Sequence, residues 1–286
     1  MGSKGMRLAR VVADGRATLA VAVADGFVVT QYASIHALVA AGERGLEATR
    51  DAAARGRPAA GLAVLAPIER PGKVICTGIN YHSHLDENPA ATLPSRPFFF
   101  AKLPSAVIGP GAPIVKPNAL TQLDPEVELA VVIGRRARNL TPAAAMEYVF
   151  GYTILNDVSA RDWQFAPDGQ MMLSKGMDSF CPLGPVIVTA DEIADPANLR
   201  LRTLVNGEVR QDSTTAENIF DLPTVLAALT ACVTLEPGDV VSTGTPAGVG
   251  LFRHPQVWLE PGDDVVLEIE GIGALTNPVV AAWAAR

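Results

Sequence analysis

The rhythm of apolar and polar positions changes near residue 70. Before that point, residues 8–29 partly alternate and carry the turn signals Ala-Asp-Gly-Arg and Ala-Asp-Gly-Phe, which predicts short antiparallel strands. The Ala-rich stretch from Ser34 to Arg55 predicts one helix that carries two glycines. The Gly- and Pro-rich segment that follows marks a boundary. Beyond it, short β-like runs recur: KVICTGI, PFFFAK, ELAVVIG, GYTILNDV, GPVIVTA, LRTLVNG, DVVSTGT and DVVLEIEG. Helices are fewer. One opens with Thr141 as N-cap and Pro142 in first position, another with Asp221 and Pro223. Strands that do not alternate with helices exclude a doubly wound sheet, so the pattern predicts an α+β fold. We read residues 1–70 as a small N-terminal α+β domain and 71–286 as the catalytic domain.

The run TQLDPEVELAVVIG conflicts with its own surroundings. Its second half reads as a strand for a dry core, yet Glu126 and Glu128 stand at its mouth, with Asp124 nearby. Positions two apart on a strand point to one face. Adjacent carboxylates are tolerable if solvated, if one keeps a proton, or if a cation lies between them. On the later run GYTILNDV, Thr153, Leu155 and Asp157 share a face, with Asp157 at the strand's end. If these strands are neighbours, Glu126, Glu128 and Asp157 converge. Three hard oxygen donors suit Mg²⁺ or Mn²⁺, with Ca²⁺ also compatible, rather than zinc. A solvated strand end with ordinary surface acids would show the same spacing. Asp124 has only proximity in its favour and is left out of the ligand set.

A second cluster is CTGINYHSHLDE. If the chain turns helical after Gly78, His84 and Glu87 become neighbours at i, i+3, and a carboxylate beside an imidazole orients it and raises its basicity. His82 and His84, two apart, are alternatively metal ligands on a strand. Lys102, Arg161 and Lys175 are candidate grips for a substrate carboxylate. The Gly-rich loop STGTPAGVG lacks the Gly-Lys-Ser/Thr ending of a nucleotide P-loop. Its backbone N–H groups and the Thr245 hydroxyl offer an anion site instead.

Composition narrows the partners. A net charge of -7 argues against a nucleic-acid binder but leaves room for a small anionic substrate. Cys76, Cys181 and Cys232 are scattered, which reads as reduced buried thiols rather than a disulfide frame or zinc site. The N-terminus lacks the apolar stretch of a signal peptide, and the apolar runs are strand-sized rather than membrane-spanning. These points lead us to expect a cytoplasmic, non-membrane protein.

Together these segments resemble the fumarylacetoacetate hydrolase family over roughly residues 72–286, in the family's order. GINYHSHLDE is similar to its G-x-N-Y-x-x-H segment with a following Glu. LDPEVELAVVIG is similar to its metal strand, and GYTILNDVSARDWQ to the strand giving the third carboxylate. SKGMDSFCPLGP is similar to the active-site Lys segment, and LEPGDVVSTGTPAGVG to the closing loop. One departure is Leu103, which stands where the family often has Pro after the Lys. The resemblance implies a mixed β-roll, sandwich-like catalytic fold, usually a homodimer, with a divalent metal. It implies metal ligation by Glu126, Glu128 and Asp157, a water-activating dyad of His84 and Glu87 on a mobile lid, and charge stabilisation by Lys175. Arg161, Gln164, Lys102 and Thr245 match positions that hold the substrate's oxo-acid end.

The activity this suggests is hydrolytic C–C cleavage of a β-diketo acid or acylpyruvate to a 2-oxo acid and a carboxylic acid. The alternative is decarboxylation of oxaloacetate or isomerisation of an unsaturated 2-oxo diacid. A non-catalytic protein stapled by a metal stands as a reading of a different class.

Overall fold

The structure, a computed structural model, describes residues 5–88 and 91–282. Residues 1–4, 89–90 and 283–286 lie outside the described residues. The architecture is mixed α+β, as the strand-rich pattern predicts. An eleven-stranded sheet runs in the order Gly26–Val29, Arg16–Val23, Arg7–Ala13, Cys181–Thr189, Val149–Asn156, Val127–Ile133, Val240–Ser242, Val74–Gly78, Phe98–Lys102, with two short strands attached off this path. A five-stranded sheet packs beside it: Glu208–Thr214, Arg200–Val205, Asp264–Ile269, Gly273–Ala281 and Ile114–Lys116. The first strand, Arg7–Ala13, pairs antiparallel with Cys181–Thr189, so the N-terminal hairpins extend the same sheet.

Local chemistry explains the hairpins. Asp14-Gly15 links Ala13 to Arg16, and Asn206-Gly207 links Val205 to Glu208, each as a two-residue loop. All four loop residues have positive φ (49° and 71°, 53° and 81°), the conformation that Asp/Asn-Gly pairs tolerate and that matches strand twist. The predicted helix over 34–55 is instead two, Ile35–Ala40 and Gly42–Arg55. Gly42, at φ 61°, makes the break, while Gly45 is carried inside the second helix. Ser34 and Asp221 cap their helices, each accepting from a backbone N–H three residues on.

The strand Val127–Ile133 is buried along its whole length. Leu129, Val131 and Ile133 enter the core shared with the five-stranded sheet, and Ala130 and Val132 enter a second core on the opposite face. Burying each large aliphatic side chain contributes about 1.5–3 kcal/mol. Three of them anchor the strand against a cost of several kcal/mol per buried charge, so the acidic end is held in place by its apolar end. Cys76 and Cys181 are buried as expected, but Cys232 is exposed. It follows the end of helix Leu222–Thr230, where the chain leaves the core. Among the described residues, no helix is long and apolar enough to cross a membrane.

Candidate active site

The carboxylates converge because the strand pairing is the one the alternation requires. Val127–Ile133 and Val149–Asn156 are antiparallel, with Val127 opposite Asn156, and the Asp157 N–H donates to Glu126 O at 3.0 Å. Glu126, Glu128 and Asp157 are all buried. The mouth of the strand is fixed by Thr245 and by Gln211, which no motif flagged. The Val127 N–H donates to Gln211 Oε1 (3.0 Å), and its carbonyl accepts from Thr245 Oγ1 (3.0 Å). Gln211 Nε2 in turn donates to Thr245 Oγ1 at 2.8 Å. The Thr245 hydroxyl proton is therefore committed to the carboxylate strand, while the residue also lines the cavity.

The cations fold onto the carboxylates. Lys175 Nζ lies 2.8 Å from Glu126 Oε2, 2.7 Å from Asp157 Oδ2 and 2.7 Å from Ser159 Oγ. Lys102 Nζ donates to Asp157 Oδ1 and to Val158 O. Arg161 donates from Nε to Asp124 (2.9 Å), from Nη2 to Glu126 (2.5 Å) and from Nη1 to Gln164 (2.8 Å). Asp124, left out on sequence grounds, also accepts the N–H groups of Gly250 and Leu251. It joins Arg161 to the closing loop rather than facing the other carboxylates.

Electrostatics follow from this packing. Burial raises the Glu128 carboxyl well above its usual range, and the neighbouring Asp157 and Glu126 push it further, against a hydrogen bond from Ser242 Oγ. For Glu126, burial opposes ionisation, but Lys175 and Arg161 outweigh it and hold the carboxyl far below that range. Burial likewise opposes the charge on Lys175, yet Asp157 and Glu126 keep its ammonium protonated.

Four buried carboxylates (Asp124, Glu126, Glu128, Asp157) thus face three buried cations (Lys102, Arg161, Lys175). Glu128 is the one carboxyl of these four with no ion-pair partner among the described residues, which leaves it open to a hard divalent cation. Glu128 and Asp157 present oxygens within 4.8 Å of each other and of Cys76 Sγ. The Glu126 carboxylate is adjacent but turned onto Arg161 and Lys175. Cys76 is the donor atom that sequence reasoning missed; it was counted only as a buried thiol.

The histidine segment forms the short helix His82–Asp86, and His84 Nδ1 stands 2.5 Å from Glu87 Oε1. The second Glu87 oxygen accepts the Gly248 N–H at 2.8 Å, and the His84 ring packs edge-on against Phe252. The dyad is thereby docked on the Gly-rich loop. His82 is exposed and, among the described residues, belongs to no close group of metal-ligating atoms.

His84 opens onto a cavity of about 240 Å³ that also contains Glu126, Glu128, Asp157, Arg161, Gln164, Lys175 and Thr245. Phe98, Phe165, Met171, Leu251 and Phe252 form its apolar side. A larger cavity of about 470 Å³ lies between helix Gly42–Arg55 and the far end of the main sheet, and holds none of the predicted site residues.

Comparison with known proteins identifies the relatives of this chain. Residues 73–280 match the family model described as fumarylacetoacetate hydrolase, C-terminal. The mitochondrial oxaloacetate tautomerase of Rattus norvegicus is 46% identical over 223 residues, covering 78% of this chain and 71% of its own. Among solved structures, a fumarylacetoacetate hydrolase from Exiguobacterium antarcticum superposes with a TM-score of 0.87 at 40% identity, covering 97% of this chain and all of its own. A maleylpyruvate hydrolase from Sphingobium, solved with manganese and pyruvate, superposes with a TM-score of 0.80 at 32% identity, over 97% of this chain and all of its own.

Proposed function

The chain belongs to the fumarylacetoacetate hydrolase family, and from that premise we propose that it interconverts the keto and enol forms of a short 2-oxo acid of the oxaloacetate type. The observation that carries this is the 2.5 Å contact between His84 and Glu87 on the rim of a cavity floored by buried carboxylates. The activity named for the rat relative points to the same chemistry.

Glu128, Asp157 and Glu126 would hold a divalent cation, Mg²⁺ or Mn²⁺, which when bound polarises the 2-oxo group and acidifies the neighbouring C–H. With all four carboxyls ionised against such an ion, the three cations and the ion leave one net positive charge, which suits an anionic substrate. His84 does the proton work. With Nδ1–H donated to Glu87, its Nε2 is the acceptor that takes the proton from C3. Glu87, pinned by the Gly248 N–H, stabilises the imidazolium that results. Returning that proton to the 2-oxo oxygen gives the enol, and returning it to C3 restores the ketone. The Lys175 ammonium, beside Glu126 and Asp157, offsets charge that develops on the substrate oxygen.

One feature favours a second reading, hydrolytic C–C cleavage of an acylpyruvate. The apolar side of the cavity offers contact surface for an acyl group that oxaloacetate lacks. In that reaction His84 takes its proton from water instead. A panel of oxaloacetate, acylpyruvates and unsaturated 2-oxo diacids, run with Mg²⁺ and Mn²⁺ and followed by product identification, decides between the readings. Enol decay without release of pyruvate supports tautomerisation; pyruvate plus a carboxylic acid supports hydrolysis.

A further inference from the structure

We propose that Cys76 gives this site a soft donor, so that a thiophilic divalent cation of the Zn²⁺ or Cd²⁺ class binds between Cys76 Sγ, Glu128 and Asp157 in a mode that Mg²⁺ and Mn²⁺ do not use. The inference rests on the reading above that Glu128 and Asp157 face a cation.

The three donor atoms lie within 4.8 Å of one another, and all three residues are fully buried or nearly so. Donors bound to one ion at about 2.0–2.3 Å stand closer than that, so they need to close by roughly an ångström or less. Cys76 and Glu128 are carried on strands of one sheet with a single strand between them. Cys76 is in register with Ser242 on the parallel strand Val240–Ser242, and Ser242 is in register with Ala130 on the carboxylate strand. Residues two apart share a face, so Glu128 lies on the same side as Ala130. Ser242 Oγ donates to Glu128 Oε2, which confirms that side. The sulfur is therefore aimed at the carboxylates by sheet register rather than by a movable loop.

Ligand softness separates the two modes. Thiolate binds Zn²⁺ and similar ions well, whereas oxygen donors suit Mg²⁺ and Mn²⁺. As a thiophilic ion binds, the Cys76 S–H bond breaks, the proton leaves to solvent, and the sulfur electron pair goes to the cation. That ion is drawn toward Cys76 and away from Glu126, whose oxygens are held by Arg161 and Lys175. We expect it to inhibit, because it takes the place of the activating ion in a different position.

The test titrates Cd²⁺ into the protein free of Mg²⁺ and Mn²⁺ and follows thiolate-to-cadmium charge transfer in the ultraviolet. The expected result is one thiolate band per chain, lost in Cys76→Ser and kept in Cys181→Ser and Cys232→Ser. Cd²⁺ affinity should fall at least ~10-fold in Cys76→Ser while Mn²⁺ affinity, read by paramagnetic resonance, changes less than ~3-fold. Retained Mn²⁺ binding also shows that the variant folds. If it does not fold, cadmium NMR on the wild-type protein distinguishes a one-sulfur from an all-oxygen environment. A band that survives in Cys76→Ser, or an all-oxygen signal, overturns the proposal while leaving the carboxylate site standing. A wild-type protein that binds neither Cd²⁺ nor Mn²⁺ overturns both.

Discussion

Arg161 and Asp124 form a buried ion pair, with Arg161 Nε 2.9 Å from Asp124 Oδ2. The same guanidinium grips Glu126, so Asp124 indirectly sets the aim of a second buried carboxylate in the cavity. Removing one partner of a buried pair typically costs 3–5 kcal/mol. Asp124→Ala should lower the melting temperature by on the order of 10 °C and weaken Mn²⁺ binding. A change under about 2 °C would show that the pair is not structural.

Gly248 connects the late loop to the dyad. Its N–H holds Glu87, its φ is 105°, and a Cβ there would stand 2.1 Å from the Arg210 carbonyl oxygen. Gly248→Ala should therefore displace Glu87 and reduce turnover at least ~10-fold with Mn²⁺ affinity unchanged. Normal turnover in that variant would mean that Glu87 does not depend on the loop.

Chelation and ligand removal should separate the metal residues from their neighbours. EDTA should abolish activity, and Mg²⁺ or Mn²⁺ should restore it. Glu128→Gln should lower Mn²⁺ affinity at least ~10-fold, and much more than Lys175→Ala does. Equal losses in the two variants, measured by paramagnetic resonance, would mean that the ligands are misassigned.

Much of this site was legible in the sequence. The period-two pattern put Glu126 and Glu128 on one face and Asp157 at a strand end, and the observed pairing of Val127 with Asn156 brings them together. Local spacing likewise foretold the His84–Glu87 contact. What escaped depends on strand order. Cys76 reaches Glu128 only because Val240–Ser242 inserts between their strands, and Gln211 arrives from the other sheet. No local pattern encodes those neighbours. Asp124 escaped for a related reason, since its partners Arg161 and Gly250 are distant in the chain. The break at Gly42 escaped because glycine in an Ala-rich run fits either a continuous helix or a turn.

Asp162 offers a test of acid stability away from the metal ligands. Partial burial opposes its ionisation, but hydrogen bonds from the Thr121 hydroxyl and the Thr121 and Gln122 N–H groups outweigh it and hold its carboxyl below the usual value. A folded pKa below the unfolded one stabilises the protein above the unfolded value, about 3.9. That contribution is lost as pH falls through the lower folded value. Asp162→Asn should therefore lower the melting temperature by roughly 2–4 °C at neutral pH, and the difference from wild type should shrink toward pH 3. A difference that grows with acidification would contradict the sign.

The central claim is that His84 moves the C3 proton of a 2-oxo acid at a carboxylate-held cation. Its most direct test is deuterium uptake at C3 in D₂O, followed by NMR with saturating Mg²⁺, for wild type and His84→Ala. The account predicts enzyme-dependent exchange that falls at least ~100-fold in His84→Ala while Mn²⁺ binding persists. Exchange at the wild-type rate in His84→Ala would contradict it.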